Sequence, residues 1–169
     1  MCFTINFIAM QTIIKLLAAL LTICVYCTCT KPKVNTTEEL TKLLIAHNWH
    51  ITQASVSPAL YSPILGNTTN DYFTYFVSTC IYDNQWRFFD NNTYQLDEGA
   101  TRCNNADPQT ITRKWSFSLT FDAINTANVD GSQPINYQLL MLTDYSLKIR
   151  RTIEVNDNEY EIEEMYHPQ

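Results

Sequence analysis

Two arginines stand inside apolar stripes, and their placement is the first sign of chemistry in the sequence. Over 110–119 the residues two apart are Ile111, Arg113, Trp115, Phe117 and Leu119; over 146–155 they are Leu147, Ile149, Arg151, Ile153 and Val155. Side chains two apart on a strand share a face, so both arginines are expected to point inward with their apolar neighbours. A buried guanidinium requires a partner. The carboxylate of an amphipathic ligand is one such partner. The internal alternative is Glu164, which shares a face with Tyr160 and Ile162 on the last strand, or a place at a solvated mouth. Trp86, Phe88, Tyr94, Trp115, Phe117 and Tyr137 would line or fill the same interior. The ligand-binding set expected from this pattern is therefore Arg113, Arg151, Trp86, Phe88, Trp115 and Tyr137. Small eight-stranded barrels are often simply packed with side chains, so a filled core is the competing expectation.

Other chemistries find little support. There is no Ser-His-Asp, H-E-x-x-H or paired-carboxylate pattern, so the chain is not expected to be an enzyme. With three glycines and neither G-x-G-x-x-G nor G-x-x-x-x-G-K, no phosphate loop and no cofactor are expected. Asp97-Glu98 and Asp157 with Glu159 lack EF-hand spacing and read as solvated turns rather than metal sites. Asn-x-Thr triplets begin at Asn35, Asn67 and Asn91 and read as chance occurrences. All seventeen acids but only ten of the eleven basic residues follow residue 30, giving that part a net charge of −7. Phosphate binding needs a basic face, so nucleic acid is excluded as a partner.

The elements that must hold the two arginines are strands. Thr36-Thr37-Glu38-Glu39 opens a short helix, with a Thr cap and acids in the first turn, and Leu40, Leu43, Leu44 and Ala46 form its apolar face. Trp49 to Val56 alternates as a first strand, with Trp49, Ile51 and Gln53 on one side. Residues 57–70 hold Pro58, Pro63, Gly66 and Asn67 and read as a loop; 71–80 fits a helix or a strand. Strands then recur at 85–89, 93–97, 110–119, 122–129, 135–142, 146–155 and 159–166, mostly joined by hairpin turns. Eight antiparallel strands of this length suit an all-β, up-and-down barrel, which leaves no open edges. An open sandwich is the competing architecture.

The N-terminus reads as an export segment. Leu16 to Tyr26 is an apolar run of about eleven residues, flanked by Lys15, Lys31 and Lys33; a membrane span needs about twenty, whereas a signal-peptide core needs fewer. Cysteines follow at 24, 27 and 29. Cys29 comes after Thr28 and before a polar spacer, which suits a lipid anchor better than Cys27 after Tyr26 or Cys24 after Ile23. Plain secretion of a soluble product is the alternative. The expected organisation is an export segment over 1–29, a tether over 30–36 and a domain over 37–169. Cys80 and Cys103 are the two cysteines left in the domain. In an oxidising compartment such a pair tends to bridge; two buried free thiols are the alternative.

The stretch from Cys80 to Trp115 carries a family resemblance. It contains a cysteine, Asp83-Asn84, Thr93-Tyr94, Asp97-Glu98-Gly99-Ala100, Cys103, Asp107-Pro108-Gln109-Thr110 and Trp115. This order and spacing resembles the lipocalin-like lipoproteins of Bacteroidetes-type bacteria, and the likeness extends over most of 37–166. The resemblance implies an eight-stranded lipocalin-like barrel with a short N-terminal helix, a Cys80–Cys103 bridge and an envelope location. Members tend to have Gly-Thr-Trp where this chain has Arg113-Lys114-Trp115, so two long cations must be accommodated here.

The function expected is that of a cell-envelope lipoprotein, held to the membrane through its lipid, that binds a small apolar or amphipathic ligand. The alternative is a structural or assembly protein acting through its outer surface, with a protein partner the sequence does not name. The Lys-Pro-Lys that follows closely on Cys29 lacks the acids that mark surface-exported members of the resembling group, which favours the periplasmic face of the outer membrane.

Overall fold

A computed structural model describes residues 36–169; the expected export segment over 1–29 and the expected anchor Cys29 lie outside the described residues. The chain forms a helix α1 (Thr37–Ile45) and nine strands: β1 (Asn48–Ser62), β2 (Asn67–Asp71), β3 (Gln85–Phe88), β4 (Thr93–Asp97), β5 (Thr110–Phe117), β6 (Ala123–Asn128), β7 (Ile135–Leu142), β8 (Leu147–Val155) and β9 (Asn158–Pro168). A short helix α2 (Tyr72–Phe76) and a 3₁₀ turn at Thr79–Ile81 lie between β2 and β3. Each strand from β3 to β9 pairs antiparallel with the next, and β9 returns to β1. Eight strands therefore close an up-and-down antiparallel barrel, while β2 lies outside the ring as a hairpin partner of β1.

Closure follows from the alternation of apolar and polar residues. On β8 and β9, Leu147, Ile149, Ile162, Glu164 and Tyr166 are turned inward and buried. On the outer face of the same strands, Glu163 pairs with Lys148 and Arg150, and Arg150 also reaches Glu161. Two bulges reset the alternation. Thr52 is an extra residue between Ile51↔Tyr166 and Gln53↔Met165, so Ala54 and Val56 face inward and Gln53 is exposed, contrary to the simple alternation from Trp49. Leu140 does the same on β7, burying Leu142 in place of Met141.

Three further expectations are corrected. Residues 57–70 are not a loop: β1 runs on to Ser62 and β2 returns along it. Pro58 is tolerated because it falls one residue past the last β9 partner and inside the break of the β2 register, where no ladder bond is required of it. Leu119 does not belong to the inward stripe of β5; the strand ends at Phe117 and Leu119 is exposed on the following turn. Ala46, assigned to the apolar face of α1, is the C-cap and is exposed.

One end of the barrel is plugged by α1. Thr36 and Glu39 cap the helix reciprocally, each side chain accepting from the other's backbone N–H. Leu40 and Leu44 enter the core, and the Trp49 indole N–H donates to the Leu44 carbonyl at 2.8 Å. Phe88, Ile124, Leu147 and Ile149 complete the packed interior.

Candidate functional site

The barrel retains a cavity of about 270 Å³. Its wall comes from Ile51 on β1, Trp86 on β3, Leu96 on β4, Tyr137 on β7, Arg151 on β8, and Glu164 and Tyr166 on β9. Its cover comes from Tyr72, Phe76, Val77, Ile81 and Asn84, in the segment that joins β2 to β3. At about 30 Å³ per non-hydrogen atom the cavity holds on the order of ten such atoms. A mostly apolar wall with a few convergent polar groups is the usual make-up of a small-molecule site.

The covering segment is held by local chemistry. The Asp71 carboxylate accepts from the Thr74 N–H at 2.9 Å and starts α2. Tyr72 stacks on Phe76, and Phe73 on Tyr82 with ring centres 4.4 Å apart. Cys80 is disulfide-bonded to Cys103, with the Cα atoms 5.1 Å apart, tying the segment to the β4–β5 loop. Asp83 Oδ2 accepts from Ala100 N–H at 2.8 Å and Thr101 N–H at 2.9 Å. These bonds need Gly99: its φ is +66°, and a Cβ there would stand 2.5 Å from the Asp83 carbonyl oxygen. Replacing both Cys80 and Cys103 by alanine is expected to cost about 3 kcal/mol, from the loop between them. The readout is the urea midpoint; an unchanged midpoint would mean that the bridge adds nothing to what Asp83 already holds.

Inside the cavity the polar groups form one network. Arg151 Nε donates to Glu164 Oε1 at 3.1 Å, and Nη2 forms an ion pair with the same oxygen at 3.0 Å. The Tyr166 hydroxyl donates to Glu164 Oε2 at 3.0 Å. Burial, with the Glu164 carboxylate close by, pushes both the Tyr137 and Tyr166 hydroxyls above the ordinary tyrosine range. The Tyr137 hydroxyl makes no hydrogen bond to any described residue. Trp86 stands at the centre, with Tyr94, Tyr137 and Tyr166 rings 5.8, 5.5 and 5.1 Å away.

The structure thus brings Trp86, Tyr137 and Arg151 to the cavity. Phe88 and Trp115 belong elsewhere, in the packed part of the interior. Phe88 is fully buried between Tyr94 and Trp115, and the Trp115 indole donates to the Phe89 carbonyl at 3.0 Å. Arg113 is inward-facing beside Tyr94, its β4 partner, but does not line the cavity wall. The cover residues Tyr72, Phe76, Val77 and Ile81 escape the alternation argument because they are not on a strand. Asp71 three residues before Thr74 is the N-cap spacing that identifies them.

The acidic turn at Asp97 is occupied by structure. Asp97 Oδ1 accepts from Gln109 Nε2 and Gly99 N–H, and among the described residues no cluster of three or more His, Cys, Asp or Glu is poised for a metal. Hydrogen bonds hold the Asp97, Asp122 and Asp130 carboxyls below their ordinary range, those from Gln109, Ser118 and Ser132 being foremost. Lys148 and Arg150 do the same for Glu163. Carboxyls lowered in the folded state stabilise it above their unfolded pKa of about 4, and that contribution disappears as pH falls through the folded values. For Tyr137 and Tyr166 the sign is opposite: their neutral forms favour folding below about pH 10, and this is lost as pH rises further. Melting temperatures are therefore expected to be flat between about pH 5 and 10 and to fall on both sides. A monotonic rise towards low pH would contradict these assignments.

No family model matches the sequence, and no curated protein does. Among solved structures the chain is similar to bovine odorant binding protein in two forms. A deswapped triple mutant matches at 10% identity over 72% of this chain and 72% of that one, with a TM-score of 0.38. A complex with a selenium-containing odorant matches at 9% identity over 83% and 78%, with a TM-score of 0.40. The fold class, an eight-stranded antiparallel up-and-down barrel, is defined by this chain's own strand order and closure.

Proposed function

We propose that this chain is a cell-envelope binding protein whose barrel holds one small apolar or amphipathic molecule. The covered cavity carries this reading: an aromatic and aliphatic wall, a few polar groups, and a cover held by a disulfide and Asp83. A barrel needed only for its outer surface gains nothing from such a cover. The sequence resemblance between Cys80 and Trp115 supports membership among the lipocalin-like lipoproteins of Bacteroidetes-type bacteria. The apolar run and the Cys29 context support an export segment over 1–29, a tether over 30–36, a domain over 37–169, and a lipid anchor facing the periplasm at the outer membrane.

The test uses tryptophan fluorescence of the full chain. Trp86 lines the cavity, whereas Trp49 and Trp115 are buried away from it. A brominated short-chain alcohol is expected to quench the wild type saturably, and Trp86→Phe is expected to lose that saturable part. Quenching that grows linearly, or is unchanged in Trp86→Phe, would refute binding in the cavity.

One observation favours a second reading, an assembly role through the outer surface. The tip of the β1–β2 hairpin exposes Tyr61, Ile64 and Leu65 together, Ile64 at 77%, and an apolar cluster of this kind marks a contact site. Charging Ile64 and Leu65 would disrupt that role and leave cavity quenching intact.

A further inference from the structure

The charges turned towards the barrel interior do not balance. Arg113, Arg151 and Glu164 share that space. Glu164 is committed twice, to Arg151 and to the Tyr166 hydroxyl. Arg113 has no ion pair among the described residues, and its Nε is buried without a hydrogen bond. The Thr126 hydroxyl, on the strand that follows, is also buried. The Tyr94 hydroxyl is in hydrogen-bonding contact with both side chains, which leaves the Arg113 Nε as the unpaired donor and its charge without a carboxylate partner. A buried donor left unpaired is costly; Arg113 as a whole is half-buried. Tyr137 connects this group to the cavity. It is part of the cavity wall, its hydroxyl is unbonded, and it lies within the electrostatic reach of both Arg113 and Arg151.

We propose that the cavity selects amphipathic molecules bearing a single negative charge, of the medium-chain carboxylate class. The anionic head sits at the Tyr137 hydroxyl, and Arg113 supplies the uncompensated positive charge. The aliphatic tail lies against Trp86, Leu96 and Ile51. Arg151, although it is the arginine in the wall, is neutralised by Glu164 and does not set the preference. This inference rests on the cavity-binding function proposed above and adds the charge of the ligand and the residue that reads it. An anion at this place gives the interior one negative charge for each of its two positive ones once Glu164 is included.

The experiment titrates the full chain with octanoate, octanol and octylammonium by calorimetry at about pH 7.5, where the first is an anion and the last a cation. Octanoate is expected to bind about tenfold more tightly than octanol, the scale of one charge-assisted hydrogen bond, and octylammonium more weakly than either. Arg113→Gln is expected to bring the ratio of octanoate to octanol affinity to about one. Arg113→Lys, which keeps the charge, is expected to retain part of the preference. Should Arg113→Gln fail to fold, the wild-type ranking and Arg113→Lys decide. Octanol binding as well as octanoate would overturn the anion preference while leaving the cavity function standing. A preference that survives Arg113→Gln would overturn the assignment to Arg113. If none of the three binds, the cavity function itself fails.

Discussion

Replacing Trp49 by alanine is expected to lower stability by about 3–5 kcal/mol, the largest effect of any single substitution considered for this chain. Trp49 has no solvent exposure and does two jobs at the plugged end. Its ring fills the floor of the barrel, edge-on to His47 at 5.5 Å. Its indole N–H satisfies the Leu44 carbonyl at the last turn of α1, a group with no helical partner of its own. Alanine removes both the volume and the bond. Phenylalanine keeps most of the volume but leaves a buried carbonyl unpaired, at a cost of about 1–3 kcal/mol. Urea unfolding of the two variants separates the contributions. Equal losses in both would show that the hydrogen bond, not the packing, anchors the helix.

The second large effect concerns Arg151 and Glu164. Glu164 is the more deeply buried partner, its side chain 8% exposed against 28% for Arg151. Removing the arginine therefore strands a carboxylate that water scarcely reaches, and Arg151→Met is expected to cost about 3 kcal/mol, the low end for a broken buried pair. Removing the acid leaves a guanidinium that still reaches solvent, and Tyr166 can donate to an amide oxygen in place of the carboxylate. Glu164→Gln is accordingly expected to cost less, about 1–2 kcal/mol. The double variant is expected to recover part of the first loss, because neither charge is then left alone. A double-mutant cycle by chemical denaturation measures this directly. Additive losses would mean that the two groups do not act as a pair.

Much of the barrel is legible in the sequence, because a half-buried strand is marked by alternation and a hairpin by its turn residues. The short helix is legible for the same kind of reason: Thr36 and Glu39 form the capping box that the Thr-Thr-Glu-Glu order suggests. The bulges at Thr52 and Leu140 are not legible, since a single extra residue leaves no mark of its own yet changes which later side chains face inward. The continuation of β1 through Pro58 is hidden because proline usually ends a strand, and only the local pairing shows that no bond is lost. The site itself is half legible. Alternation tells which face a residue is on but not how far along the barrel axis it lies. Trp86 and Phe88 occupy one stripe, yet one lines the cavity and the other the packed part of the core. Arg113 and Arg151 look equivalent as inward cations in apolar stripes. The structure makes them different, one neutralised by Glu164 and one with no ion pair among the described residues.

The central claim is that the covered cavity holds a small molecule, and native mass spectrometry of the full chain, purified in oxidised form from an exporting bacterial host, tests it most directly. A mass excess that disappears on denaturation is expected. The excess is expected to be lost when the cavity is filled by Leu96→Trp, a wall position where a larger ring takes the ligand's place. A bare native mass in the wild type, together with no uptake of added octanoate or octanol, would contradict the account. The barrel's function would then be sought on its outer surface.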